Sequence, residues 1–334
     1  MGKVTMADVA ALAEVSKSTV SQYMNERFHY MSHETKKKIE RAIDELGYSP
    51  NGVARSLRQK KTRTIGVIVA NILHEFSTGI VRAIEDTCHA NDFHVIVCNA
   101  DDQPEKEKHY IDMLRAKQVD GLIVLPTSDN QALFTQLVEQ HYPLVFLDRL
   151  IEDVEVNAVL SDNLEAVRLA VEELVGKGYE KIGLITQPIK HHITPRVERK
   201  DAYYQVLKNL GVHVDQALVR SAEVDDVQKV MQQMMSEFPP DAVIAGNDRV
   251  LQEILKYIQS EKLFVPEKLA VIGIDDVSFA EFFNPPLTTV AQPTFAMGRK
   301  AAELLLAEIE DSEQGLREKN TYRLQPVLKR RLSC

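Results

Sequence analysis

Apolar residues change their spacing along this chain. Val9, Ala10, Ala13 and Val15, then Val20 and Met24, then Ile39, Ile43 and Leu46 form three short stripes at helical spacing. Start signals precede each stripe: Thr5 with Asp8 three residues on, then Ser16, then Ser32. Gly47 suits the end of the third helix. Together the stripes predict one small all-α core. Residues 50–63 break the pattern. Pro50 can open a helical turn, and NGVARSL is a single short stretch before Arg58, Lys60, Lys61 and Arg63. So short a helix does not hold by itself, so the segment reads as a linker that orders only in some states.

From Thr64 onward, continuous apolar runs alternate with helical patterns. The runs are TIGVIVA (64–70), HVIVC (94–98), GLIVL (121–125), PLVFL (143–147), KIGLIT (181–186), DAVIAG (241–246) and LAVIGI (269–274). Such runs between amphipathic helices predict parallel sheets covered on both faces. A break in the pattern near 150–162 divides them into two doubly wound lobes. The predicted fold is α/β, with an all-α helix-turn-helix head followed by two doubly wound parallel-sheet lobes. The expected domains are residues 1–49, a hinge helix and linker over 50–63, and a body over 64–334. Within the body, one lobe takes about 64–160 and 291–320, and the other about 161–290 and 321–334. Ligands of such folds sit at the carboxyl ends of strands.

Charge sharpens this division. Of the net charge of −9 over 334 residues, residues 1–63 carry +5 and the remainder −14. A basic head on an acidic body points to nucleic acid as the head's partner alone. No apolar run reaches the ~18 residues of a membrane span. The amphipathic, acid-containing N-terminus is not a secretory leader. Cys88, Cys98 and Cys334 cannot build a disulfide framework. These features predict a protein of the cytoplasm with no membrane partner. The adjacent His191 and His192 lack metal-ligand spacing, and common catalytic motifs are missing. Neither enzyme, metal nor cofactor is expected.

The second helix displays Lys17, Ser18, Thr19, Ser21, Gln22 and Asn25, while Val20 and Met24 face inward. Short polar side chains near a helix N-terminus suit base edges in a major groove, and glutamine can bind adenine bidentately. The series Thr5-x-x-Asp8-Val9-Ala10, Val15-Ser16-x-x-Thr19-Val20-Ser21 and LGYSPNGVARSL (46–57) resembles the LacI/GalR family of bacterial transcription regulators. VDGLIVLP (119–126), LDR (147–149), SDN (161–163), GNDRV (246–250), VIGIDDV (271–277) and PPLTTVAQP (285–293) continue the likeness in the family's order. The resemblance implies lobes of the periplasmic-binding-protein type and a homodimer on double-stranded operator DNA. It implies DNA contacts from Thr5 and the second helix. It also implies a hinge helix in which Leu57 wedges into the minor groove, Ala54 allows two helices to approach, and Asn51 and Arg55 hold phosphate or groove edges. Two departures stand out. Glu14 replaces the family's usual glycine, so that position need not adopt a positive φ. Gln22 replaces an arginine, which shifts the expected operator preference toward adenine.

For the body, the resemblance implies an effector cleft between the lobes. Phe76 is either a platform for a sugar or core; His74-Glu75 stand where the family has Asn-Pro. Arg149 can point a bidentate fork into the cleft, or form a structural ion pair. Arg196 and Arg199 add charge, with Tyr203 as the aromatic near Arg199. Asn247 and Asp275 are expected to bind ligand hydroxyls, Asp276 to cap the next helix, and Gln292 to sit at a crossover between lobes. With Lys190, the arginines make a cationic cluster that predicts an anionic sugar. Residues 71–124 resemble the branch of the family that responds to 2-keto-3-deoxygluconate. The predicted function is a repressor of carbohydrate or sugar-acid catabolism genes, released by such an effector. The alternative is a catabolite-control regulator whose corepressor is a phosphorylated carrier protein bound near GRKAAELLL (298–306).

Overall fold

In the computed structural model, which describes residues 4–48, 61–127, 129–189, 193–213, 215–310 and 318–334, the first helices begin at the expected caps. The hinge positions Asn51, Ala54, Arg55 and Leu57, and Lys190, His191 and His192, lie outside the described residues. The chain divides into two units, Met1–Thr62 and Arg63–Cys334.

In the first unit, α1 (Met6–Leu12), α2 (Lys17–Met24) and α3 (His33–Leu46) enclose Val9, Val20 and Ile39, all fully buried. The Asp8 carboxylate accepts from the Thr5 amide and hydroxyl, both at 2.7 Å. Ser16 Oγ accepts from the Thr19 amide and Ser32 Oγ from the Thr35 amide, both at 3.1 Å. Each satisfies a donor that the helix start leaves open.

Glu14 keeps a positive φ, +54°, without a glycine. The amide of Val15 donates to the Ala10 carbonyl at 3.0 Å and that of Glu14 to the Ala11 carbonyl at 3.3 Å. This is the Schellman end of α1, which needs a left-handed residue whatever the side chain. The turn between helices, not the residue type, sets the backbone. Glu14→Gly should therefore raise the head's unfolding free energy by roughly 0.5 kcal/mol: the relieved strain of ~1 kcal/mol is partly offset by glycine's unfolded-state freedom. Thermal melts of the two proteins by circular dichroism check this.

In the second unit, β1 (Thr64–Val69), β2 (His94–Asn99), β3 (Gly121–Val124), β4 (Leu144–Leu147), β5 (Asn157–Ser161) and β11 (Thr321–Leu324) form a parallel sheet in the order β11-β5-β4-β3-β1-β2. The other sheet runs β12-β10-β9-β8-β6-β7. It is built from β6 (Ile182–Thr186), β7 (Val219–Ser221), β8 (Ala242–Ala245), β9 (Ala270–Ile274), β10 (Thr288–Ala291) and β12 (Val327–Lys329), the last antiparallel to β10. The chain passes between sheets after Ser161, after Ala291 and after Leu324. The last crossing corrects the expected lobe limits: residues 321–324 pair in register with 158–161 and belong to the first lobe. Their alternating exposure marks an edge strand, which lacks the apolar run that signals a central one.

Side-chain alternation builds a core on each face of each sheet. Ile65, Val67 and Val69 of β1 pack with Ile80 and Ile84 of α4 (Glu75–Ala90) and Met297 and Leu305 of α11 (Thr294–Glu310). Ile68 faces the other way, onto Ile111, Leu114 and Phe134. In the second lobe, Val243 and Val271 face Met231 and Ile254, while Ile244 and Ile272 face Val171 and Tyr203. Tyr203 is thus core, with its hydroxyl on the Ile182 carbonyl at 2.5 Å, and does not reach the cleft as an aromatic contact.

Helices α4 and α11 touch closely because Gly298 has no side chain. A Cβ there would lie 2.6 Å from the Ile80 carbonyl oxygen and 2.8 Å from Ala83 Cβ. Backbone cannot yield as a flexible side chain does. Gly298→Ala should lower the stability of the second unit by about 1–3 kcal/mol, more than the ~1 kcal/mol gained in helix propensity. Scanning calorimetry of that unit's transition tests the sign.

Candidate functional site

The head offers one polar helix. Lys17 and Ser18 are exposed at the start of α2, Thr19, Ser21 and Gln22 are half-buried along it, and Asn25 is exposed at its end. Part of this polar set holds the helix itself. Ser18 Oγ and Thr19 Oγ1 lie 2.6 and 2.8 Å from Ser16 Oγ, and Asn25 Nδ2 donates to the Ser21 carbonyl at 2.6 Å. Thr5 gives its hydroxyl to Asp8 but remains exposed. Lys17 and Ser18 stand exposed at the helix N-terminus, the positive end of its dipole.

In the second unit the carboxyl ends of both sheets converge. Phe76, Arg149, Arg196, Arg199, Asn247, Asp275 and Gln292, all seven candidate positions, line one cavity of about 50 Å³. They come from the start of α4, from loops after β4, β8, β9 and β10, and from α8 (Thr194–Asn209). Sequence reading missed His74 and Gln187 as lining residues of the same cavity, which also takes in Asp148, read as a hinge or helix-capping acid that could accept a hydroxyl. A larger cavity of about 360 Å³ shares Gln187 and Arg196 with it and adds Asp102, Thr127, Asp129 and Glu223. Its size is that of a small-ligand pocket. The rule that ligands sit after strands applies equally to Asp102 and Gln187, which follow β2 and β6.

The cationic count is corrected by carboxylates. Arg149 donates to Asp102 Oδ1 at 2.7 Å and to the Pro126 carbonyl at 3.3 Å. Arg196 reaches the Pro188 carbonyl at 3.0 Å and lies 3.7 Å from Asp102 Oδ2. Buried Arg199 has neutral partners: its Nε donates to Asn163 Oδ1 at 2.9 Å, and it donates to the Gly246 carbonyl at 2.6 Å. Among the described residues Arg149 Nε and Gln292 Oε1 are buried without a partner. Phe76 lines the cavity and packs with Ile80 and Ile84, so it serves both readings. Asn247 caps α10 (Asp248–Ser260), accepting from the Val250 amide at 2.9 Å, and its Nδ2 donates to Gln187 Oε1 at 2.7 Å. Asp276 is not a cap: it accepts from the Thr289 hydroxyl at 2.6 Å and from Arg331 at 2.9 Å.

Burial governs the acids. It pushes the Asp275 carboxyl up to about 6, with the neighbouring Asp248 charge adding to the effect. It likewise raises Asp148, against the pull of Arg149 and Arg199. Burial alone would raise Asp248 too, but the hydrogen bond and charge of His74 and the amides of Glu75 and Arg249 hold it below the usual range. Arg196 is lowered to about 10 by burial and by Arg149 beside it. Polar contacts cross between lobes. His74 Nδ1 bonds Asp248 Oδ1, the Glu75 amide donates to Asp248 Oδ2 at 2.8 Å, and the Ser278 amide donates to Glu75 at 2.8 Å. The Leu150 amide donates to Thr194 Oγ1 at 2.8 Å.

Comparison with known proteins assigns this arrangement. Residues 5–51 match bacterial regulatory proteins of the lacI family, and residues 171–334 match a periplasmic binding protein-like domain. The probable HTH-type transcriptional regulator EndR of Paenibacillus polymyxa is 47% identical, over 98% of both chains. The chain belongs to the LacI family of bacterial transcriptional regulators. The HTH-type transcriptional regulator KdgR of Bacillus subtilis (strain 168) is 35% identical, over 92% of both chains. A crystal structure of the Lac repressor dimer bound to operator and the anti-inducer ONPF superposes with a TM-score of 0.85 at 26% identity, covering 99% of both chains. The regulator is a DNA-binding protein of the repressor type and not an enzyme. Among its described residues no helix is long and apolar enough to cross a membrane.

The buried Asp275 gives a pH signature. Its folded pKa, about 6, lies above the ordinary 3.8. Its favourable contribution is complete below the ordinary value and is lost as pH rises through about 6, where the buried group must ionise. Asp275→Asn should stabilise the second unit by roughly 1–3 kcal/mol at pH 8 and give no gain at pH 4. Urea unfolding at both pH values checks it.

Proposed function

We propose that the regulator is a homodimeric repressor of sugar-acid catabolism genes, released from its operator when a hydroxylated acid such as 2-keto-3-deoxygluconate enters the cleft. One pattern carries this reading: a buried unpaired donor at Arg149 Nε and a buried unpaired acceptor at Gln292 Oε1, beside the buried Arg199, whose hydrogen bonds go to Asn163 and the Gly246 carbonyl and not to a carboxylate. Unmet buried groups of this kind are costly. A carboxylate satisfies the arginines, and a hydroxyl donates to Gln292 while others meet Asn247 and Asp275. A ligand that bonds residues of both lobes favours the state in which they are close. Coupling of about 1–3 kcal/mol between cleft and operator is enough to shift operator affinity 5- to 150-fold.

On the DNA side, Lys17, Ser18, Thr19, Ser21, Gln22 and Asn25 of α2 read the major groove, with Thr5 at the rim. Asn51, Ala54, Arg55 and Leu57 serve as the hinge contacts. The Lac repressor dimer on its operator supports the two-headed arrangement, since a two-fold operator mirrors a two-fold dimer. The same unmet groups favour a small molecule over a protein corepressor.

Fluorescence anisotropy on DNA from the gene's own upstream region, at fixed salt, tests the proposal. Added 2-keto-3-deoxygluconate should release the operator, and glucose should not. Arg199→Gln should raise the concentration for half-release by about 10- to 100-fold, the worth of a charged hydrogen bond, with operator affinity in the absence of effector kept within a few-fold. Equal release by glucose, or an unchanged response in the variant, would overturn the sugar-acid reading.

A further inference from the structure

The turn after β2 places a carboxylate where an anionic ligand would bind. Asp101 and Asp102 both have positive φ, +52° and +54°. The Asp102 amide donates to the Ala70 carbonyl at 2.7 Å, and Asn99 Nδ2 and Lys106 hold Asp101. Two left-handed residues in succession store strain that surrounding bonds must hold. The result is an Asp102 side chain 2.7 Å from Arg149 of its own lobe and 3.7 Å from Arg196 of the other. Arg149 lines the inner cavity, Arg196 lines both, and Asp102 lines the outer one with Asp129 and Glu223.

We propose that Asp102 is a specificity-determining residue of the cleft: a built-in counter-ion that keeps hydroxyl-free anions away from Arg149 and Arg196 and admits acids that also bring hydroxyls. An inorganic dianion approaching through the outer cavity meets Asp102, Asp129 and Glu223 and has no hydrogen to give them. A polyhydroxylated acid donates hydroxyls to these carboxylates while its own acid group reaches the arginines. Like charge opposed to an unpaired anion is a repulsive device that contributes specificity without adding affinity. The proposal rests on the cleft being the effector site, but its test uses neither operator nor sugar acid.

Isothermal titration of the full-length regulator with sodium sulfate, at constant ionic strength, is the measurement. Asp102→Asn keeps the shape, and asparagine tolerates positive φ. It should bind sulfate at least about tenfold more tightly than the unaltered protein. Asp102→Gly also suits the backbone; it should behave alike and serves if the first variant fails to fold. Adding Arg196→Gln to Asp102→Asn should abolish the gain, which places it in the cleft and not on the basic head. Equal sulfate binding with and without Asp102, or a gain that survives Arg196→Gln, would overturn the proposal. Failure of 2-keto-3-deoxygluconate to release the operator would instead strike the proposed effector and leave the sulfate result standing.

Discussion

Charge buried between two lobes has to be neutralised within hydrogen-bond reach, and the rest of the cleft follows from that constraint. A buried ion loses several kcal/mol of solvation that only close partners restore. The sheets bring their carboxyl ends together, so arginines and aspartates from separate strands arrive in one small volume. Arg149 and Arg196 share Asp102, His74 pairs with Asp248, and Gln292 bonds Asp275 at 2.5 Å. Where the internal partners run out, at Arg149 Nε and Gln292 Oε1, a ligand has something to offer. Cleft composition thus follows from the residual imbalance and not from the count of cations.

The backbone shows where this balance is held by force. Asp102, Asp148 and Asp275 all have positive φ, and all carry carboxyls into the cleft region. Aspartate tolerates that conformation better than most residues, yet each position still stores strain. The strain orients carboxylates that a relaxed extended turn would aim elsewhere. Glu14 differs in kind: its positive φ is demanded by a helix end, where the requirement is geometric and no ligand is involved.

Much of the fold was legible because its causes are local. Caps at Asp8, Ser16 and Ser32 act over three residues, and the apolar runs of β1, β3, β4, β6, β8 and β9 announce strands buried on both faces. Strands β5, β7, β10, β11 and β12 were not read: β7, β11 and β12 are short or at a sheet edge, and in β5 and β10 polar Asn157, Ser161, Thr288 and Thr289 interrupt the apolar run. The seven cleft positions were reached through the family resemblance together with the rule of strand ends, and the structure gathers them in one cavity. Asp102 escaped since its meaning lies in two arginines 47 and 94 positions away. At Glu14 the residue type leaves the backbone angle open, and the Schellman hydrogen bonds decide it.

The contacts that cross between lobes explain how a small ligand can have a large effect. Glu75 gives its amide to Asp248 and accepts from Ser278, so the start of α4 is tied to two loops of the other lobe. Asp248 in turn donates its amide to Asp275 at 3.1 Å. A ligand that engages Asp275 therefore acts on a carboxylate already linked, through Asp248, to the first lobe. Such a chain has few intermediate arrangements: a buried carboxylate that loses one partner must find another or be rehydrated. Under the proposed release by an effector, a discrete exchange of partners of this kind lets binding free energy in the cleft be transmitted and not dissipated in gradual adjustment.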